Sequence, residues 1–334
     1  MSLRALIDEQ RARIKVGPVD RAFEEAAEAL AERIASDQAL ASIARDPYWP
    51  KWNTPWWWML LLHQTGQTER IPAAGAKGMA AALNSHYLHY FPRNEKELPQ
   101  GTDPWRQVLC HCALASMVSI YAVSGDDVDG LFPWQRHWFV KYQLADGGHN
   151  CDDSVYAKKD GPSSIMSTVP VLEAFLDSTP PRWKDEQWTW SERLVKYLLE
   201  RKLCRSLRKS GALMNEAFLK PCFPRFYDYD VLRGLSAVAR WAEIAERPLP
   251  GESIEEAVRA IANQLGDDGM LPVARDASRG EKTLWLSRKG KWERGHPTTR
   301  FELLDTVSVV GAPSPFLTRE WRDTLERLAR IQIQ

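Results

Sequence analysis

Three short stretches of the chain hold residue types that do chemistry in other settings. His149-Asn150-Cys151-Asp152-Asp153 brings an imidazole, a thiol and two carboxylates into five positions. Cys151 and Asp153, two apart, are metal-ligating types; the structural alternative is a turn capped by an aspartate, with Cys151 packed as a small hydrophobe. Asp228-Tyr229-Asp230 sets two carboxylates two apart. Such an acid donates a proton if burial and a hydrogen-bonded partner keep it protonated; otherwise it caps the helix that follows. Cys110-His111-Cys112 is also ligand-typed, but it lies in an apolar run read as one helix. Positions 110 and 112 then face different sides and are expected in the core rather than on one metal. Asp126-Asp127-Val128-Asp129-Gly130 lacks the length and terminal Glu of a calcium loop and reads as a solvated turn. No phosphate loop, dinucleotide glycine fingerprint or Gly-x-Ser-x-Gly elbow is present.

The elements that must position these residues are helical. Apolar spacing, caps and breakers predict about 11 helices in two kinds. One kind is nearly apolar all round: 56–64, 105–123, 165–176, 231–245 and 301–310. The other is amphipathic: 19–44, 71–90, 133–142, 191–203, 252–265 and 318–331. The two kinds alternate strictly. A helix apolar on every side must be enclosed, and an amphipathic one has a single buried face. An inner and an outer ring of helices would produce that alternation, so the fold class expected is all-α, an α/α toroid of helical hairpins. Residues 1–18 read as an N-terminal extension and 19–334 as one domain. The run 285–292, with Arg288-Lys289-Gly290, is assigned to a loop rather than to a short hairpin.

Two glycine turns mark the hairpins. Gln143-Leu144-Ala145-Asp146-Gly147-Gly148 follows Trp134, Trp138 and Tyr142, and a weaker copy, Gln264-Leu265-Gly266-Asp267-Asp268-Gly269, comes later. The first turn resembles the repeat motif of the squalene/terpenoid cyclase and protein prenyltransferase β-subunit superfamily, and Tyr229 to Leu235 resembles an inner-helix start in its bacterial members. His149 in the first copy and Met270-Leu271 in the second stand where the motif has an aromatic residue. The resemblance implies an isoprenoid or lipid-like ligand in a central aromatic-lined cavity, and cyclisation or prenyl transfer as the chemistry. It implies Asp228 and Asp230 as the acids, although Val231 stands where the cyclase motif ends in an acid. It also implies a metal, zinc or magnesium, held by Cys151 and Asp153 with a distant His296.

In such a toroid the N-termini of the inner helices gather at one mouth. Trp56, Trp105, Tyr227, Tyr229 and Arg300 fall there and are expected to line the ligand site. Parallel helix N-termini each carry about half a positive charge and would favour an anionic head group.

Composition narrows the rest. Forty-four basic residues balance 44 acidic ones, so nothing draws the chain to nucleic acid. Five irregularly spaced cysteines and no basic-then-apolar start suggest a reducing, cytoplasmic setting. No run of 18 continuous apolar residues suggests a membrane span. Fifteen tryptophans supply either core or cavity lining. Two other readings stay open: a toroid that only binds, and a carbohydrate-active α/α barrel in which tryptophans stack on sugars and paired acids cut the bond.

Overall fold

The computed structural model describes residues 1–178, 185–278, 283–286, 292–296 and 299–334. The chain is an α/α toroid. Its helices are α1 (Leu3–Arg13), α2 (Arg21–Ala35), α3 (Asp37–Arg45), α4 (Pro55–Gln64), α5 (Ala73–Ser85), α6 (Pro104–Gln107), α7 (His111–Val123), α8 (Val128–Leu131), α9 (Gln135–Lys141), α10 (Ile165–Asp177), α11 (Asp185–Glu200), α12 (Val231–Ala245), α13 (Gly251–Ala262), α14 (Glu302–Val307) and α15 (Pro315–Arg330).

The inner ring runs α2, α4, α7, α10, α12 and α15, each packed on the next. It closes where Phe23 of α2 meets Phe316 of α15, ring centroids 5.1 Å apart. α4 opens on Pro55, whose missing N–H costs nothing at a helix start, and Trp56 to Leu62 are all buried. Outside lie α3 and α5 against α2, α11 against α10 and α12, α13 against α12, and α1 against α13 and α15. Residues 3–13, read from sequence as part of an extension, are thus an outer helix. α10 and α12 run parallel: Glu173 pairs with Arg233, and one turn further along α10 and two along α12, Asp177 pairs with Arg240.

The two glycine turns are one structure used twice. In the first, Leu144 N donates to Gly148 O (2.8 Å) and Gly147, at φ +95°, donates to Leu144 O. In the second, Gly266 N donates to Met270 O (2.9 Å) and Gly269, at φ +79°, donates to Gly266 O. The match then continues into an inner helix. His149 N donates to Thr168 Oγ1 and Leu271 N to Thr318 Oγ1, while Ser164 N donates to His149 O and Ser314 N to Leu271 O. The structural register therefore pairs Gly147 with Gly269 and His149 with Leu271, one residue off the alignment that the Gln143 and Gln264 letters suggest.

That register corrects the ring assignment. The inner helix after the second turn is α15, not 301–310, which shortens to the six-residue α14 packed on α2. α15 reads as amphipathic because its polar face looks into a polar interior rather than out to water. Two long helices also break. The stretch 19–44 divides at Ser36, extended at ψ 149°, whose hydroxyl caps α3 by accepting from Ala39 N. The stretch 105–123 divides at Val108–Cys110. Arg106 O and Gln107 O turn instead to His86 Nε2 and Leu88 N, so the helical ladder stops there. By length and apolar content Pro104–Val123 would reach across a bilayer; here α7 packs on α4 and α10 as inner wall. Thr283–Leu286 (β3) and Trp292–His296 (β4) pair antiparallel, so the region assigned to a loop contains a hairpin; a smaller ladder joins Arg205–Ser206 (β1) to Ala212–Leu213 (β2). Arg288, Lys289 and Gly290 lie outside the described residues.

Candidate functional site

The N-terminal end of the inner ring is filled. The loop before α12 brings Phe226 and Tyr227 against Trp52 and Trp57, with Trp52 and Phe226 ring centroids 4.6 Å apart and Tyr227 stacked on Trp52 at 5.7 Å. Trp52 and Phe226 both sit at positive φ, +68° and +53°, which bulky residues adopt only when their surroundings enforce it. Trp52, Trp57 and Phe226 are about 1% exposed. The mouth expected to receive a ligand at the helix N-termini is an aromatic plug.

The cavity lies beside that plug, between the middle and C-terminal turns of α4, α7 and α10 and the N-terminal and middle turns of α12 and α15, and holds about 370 Å³. Its wall sets charged and hydroxylic side chains among apolar ones such as Leu60, Leu176, Phe223 and Phe316. α10 supplies Glu173 and Asp177, α12 supplies Arg233 and Arg240, α15 supplies Arg319, Glu320, Asp323 and Arg327, and α7 supplies Ser116 and Ser119. No tryptophan lines it among the described residues; the tryptophans are mostly spent on the core, as in Trp56, Trp57, Trp138 and Trp321.

Arg225 joins the floor of the cavity to the capping of α12. Its guanidinium meets Asp230 twice, Nε to Oδ2 at 2.8 Å and Nη2 to Oδ1 at 3.0 Å, and reaches Glu320 at 2.6 Å. Asp230 also caps α12 by accepting from Arg233 N and accepts from Cys222 N. Arg233 grips both oxygens of Glu173, at 2.8 and 2.6 Å. Burial raises the Glu320 carboxyl above its ordinary value, and Arg225 only partly offsets it. Burial lowers His63 at the same wall. Arg319 differs from the other guanidiniums. It is exposed at the rim, beside the Gly66 turn, and makes no ion pair or hydrogen bond among the described residues.

Of the acids implied by resemblance, Asp230 is held in a two-point ion pair with Arg225, and Asp228 pairs with Arg275 at 2.7 Å. Neither lines the cavity. Trp56 is core, against Tyr48 and Tyr87. Trp105 is 53% exposed, its carbonyl accepting from Trp49 Nε1. Tyr227 belongs to the plug, and Tyr229 is buried with its hydroxyl on Leu203 O. Arg300 pairs with Asp276 and Asp305 away from the cavity. Asp153 is exposed on a short turn, and the His296 side chain lies outside what the structure describes.

A second cluster stands near the plug. Cys110 Sγ and Cys112 Sγ are 3.2 Å apart, and Cys151 Sγ is 3.4 Å from Cys112 Sγ. The expectation that positions 110 and 112 face apart is overturned because Cys110 is not helical. It is the N-cap of α7, at φ −88° and ψ 160°, and this turns its thiol back over the first turn. Hydrogen bonds from Cys112 and Cys151 hold the Cys110 thiol well below the usual range, while the same bonding with Cys110 pushes Cys112 up and Cys151 up to about 12. His111, between the two cysteines, takes no part. Its Nδ1 accepts from Trp138 Nε1 at 2.8 Å, and its Nε2 meets Tyr156 Oη at 2.9 Å.

No family model matches the sequence, and no curated protein matches it. Among solved structures it is similar to a polysaccharide lyase at 9% identity, covering 99% of this chain and 100% of that one, with a TM-score of 0.43. It is also similar to a glycosyl hydrolase family 88 protein from Bacteroides vulgatus at 10% identity, covering 97% and 99%, with a TM-score of 0.42. Likeness at that level carries no argument about activity. Both are carbohydrate enzymes rather than cyclases or prenyltransferases, and the superfamily drawn from the glycine turns is corrected. The interior gives the physical reason. An isoprenoid needs walls apolar throughout, and this cavity interrupts its apolar lining with five guanidiniums and four carboxylates.

Proposed function

We propose that the central cavity binds a short acidic carbohydrate, one carrying carboxylate groups, and that Glu320 acts on it as a proton donor. The observation that carries this reading is the composition of the cavity wall. Guanidiniums suit carboxylates through paired N–H donors, and serines with a glutamine and a histidine suit hydroxyls. Arg319 is the guanidinium left for a ligand, since the others already face acids.

Two carboxylates in unlike settings support an acid role. Glu320 is raised by burial, whereas Glu173 is clamped by both arms of Arg233. A carboxyl raised by burial is what proton donation to a glycosidic bond requires.

The test is calorimetric titration of the full chain with uronate-containing and neutral oligosaccharides, followed by mass spectrometry for products. Binding of the acidic set, weakened in Arg319→Ala, and product formation slowed by about 10²–10⁴-fold in Glu320→Gln are expected. Equal affinity for neutral sugars, or no binding of either set, would overturn the reading.

A further inference from the structure

We propose that Cys110, Cys112 and Cys151 form a three-thiolate zinc site that clamps the start of α7 to the junction leading into α10, with its fourth coordination position open. The site stands apart from the central cavity and does not depend on the function assigned there.

The geometry comes first. The three sulfurs all lie within 4.8 Å of one another, and two of the spacings are 3.2 and 3.4 Å. Thiolates bound to zinc at about 2.3 Å in tetrahedral directions stand about 3.8 Å apart, so small side-chain rotations suffice to admit the ion. All three cysteines are free thiols. Their positions are fixed by the backbone: Cys110 by its capping conformation, Cys112 by the first turn of α7, and Cys151 by its N–H on Ser167 Oγ of α10 at 3.1 Å.

The donor set selects the metal. Three sulfurs with no carboxylate or imidazole in the group favour a soft, thiophilic ion over magnesium or calcium. His111 cannot add a ligand because both of its ring nitrogens are engaged, and Asp153 is outside the group. Three protein ligands therefore leave one position for water or a small molecule, the arrangement of zinc sites that keep an exchangeable ligand.

The surrounding charge fits. Three thiolates and a divalent ion leave one net negative charge. The Lys51 ammonium, 4.5 Å from the Tyr227 ring centroid, is in electrostatic reach of all three sulfurs, and the N-terminus of the 13-residue α7 adds its positive end.

Full-length protein purified without added metal and kept reduced is analysed for zinc by mass spectrometry. The chelated protein is then titrated with zinc, and with cadmium while the thiolate-to-metal absorption is followed. One equivalent of zinc, a higher Tm on zinc addition, and a cadmium band that saturates at one equivalent are expected. In Cys112→Ser and Cys151→Ala the zinc affinity falls at least about tenfold, on the order seen for disturbed metal shells, while Cys204→Ser and Cys222→Ser titrate like the parent. If a trio variant does not fold, the parent's stoichiometry and its Tm response to zinc still decide. The proposal is overturned if the reduced parent takes up no zinc at micromolar concentration, if the cadmium band survives in Cys151→Ala, or if the freshly isolated protein carries a disulfide within the trio.

Discussion

Arg225 and Asp230 meet through two parallel hydrogen bonds in the buried floor of the ring, and the same aspartate caps α12. Asp230→Asn removes the two-point partner of Arg225, which is itself only 7% exposed, and leaves that guanidinium with Glu320 alone. Breaking such a pair from one side costs about 3–5 kcal/mol. Urea unfolding of Asp230→Asn should show the midpoint falling accordingly, with an unchanged slope. A midpoint equal to that of the parent would mean that this carboxylate is not structural.

Glu320 should set the alkaline limit of any turnover. A proton donor works only while protonated, and burial raises the Glu320 pKa above its ordinary value of 4.5. Activity is therefore retained below that raised pKa and lost about tenfold per pH unit above it. Glu320→Gln should lower kcat by about 10²–10⁴-fold and remove this limb of the profile. A limb that persists in the variant would assign the proton to another group.

Arg319→Ala should separate binding from folding. The side chain is exposed and makes no ion pair among the described residues, so stability should move by no more than about 0.5 kcal/mol. Affinity for an acidic saccharide should fall by about tenfold or more, the scale of a lost charge-assisted hydrogen bond. Unchanged affinity would exclude Arg319 from the site.

The paired glycines give a test of the repeat itself. A Cβ on Gly147 would come 2.5 Å from Arg193 O, and one on Gly269 would come 2.5 Å from Arg13 O, both at positive φ. Gly125, also at positive φ, faces open space. Gly147→Ala and Gly269→Ala should each cost at least about 2 kcal/mol, and Gly125→Ala about 1 kcal/mol, the strain of a left-handed alanine. Thermal unfolding that ranks Gly125→Ala with the other two would contradict the close approach.

The sequence made the toroid legible through helices such as α4 and α7, whose every face is apolar. It concealed α15, because a helix facing a charged cavity has the same polar stripe as one facing water; only the hydrogen-bond match between Thr168 and Thr318 separates the two cases. The thiol cluster was concealed for another reason. Reading 105–123 as unbroken helix placed Cys110 and Cys112 on opposite sides, and the break that brings them together depends on His86 and Leu88, which satisfy the interrupted backbone from a distance. Cys151 joins through a tertiary fold that spacing does not encode. Tryptophan content was ambiguous by nature, since a large ring fills a core as well as it lines a pocket.

The aromatic plug of Trp52, Trp57, Phe226 and Tyr227 makes the ring a well with a floor instead of a tunnel. Among the described residues the cavity's rim carries the exposed Arg319, so a ligand of the proposed kind would meet that side chain on entry. If the proposed function holds, a site closed at one end would take chain ends and short fragments rather than the middle of a long strand.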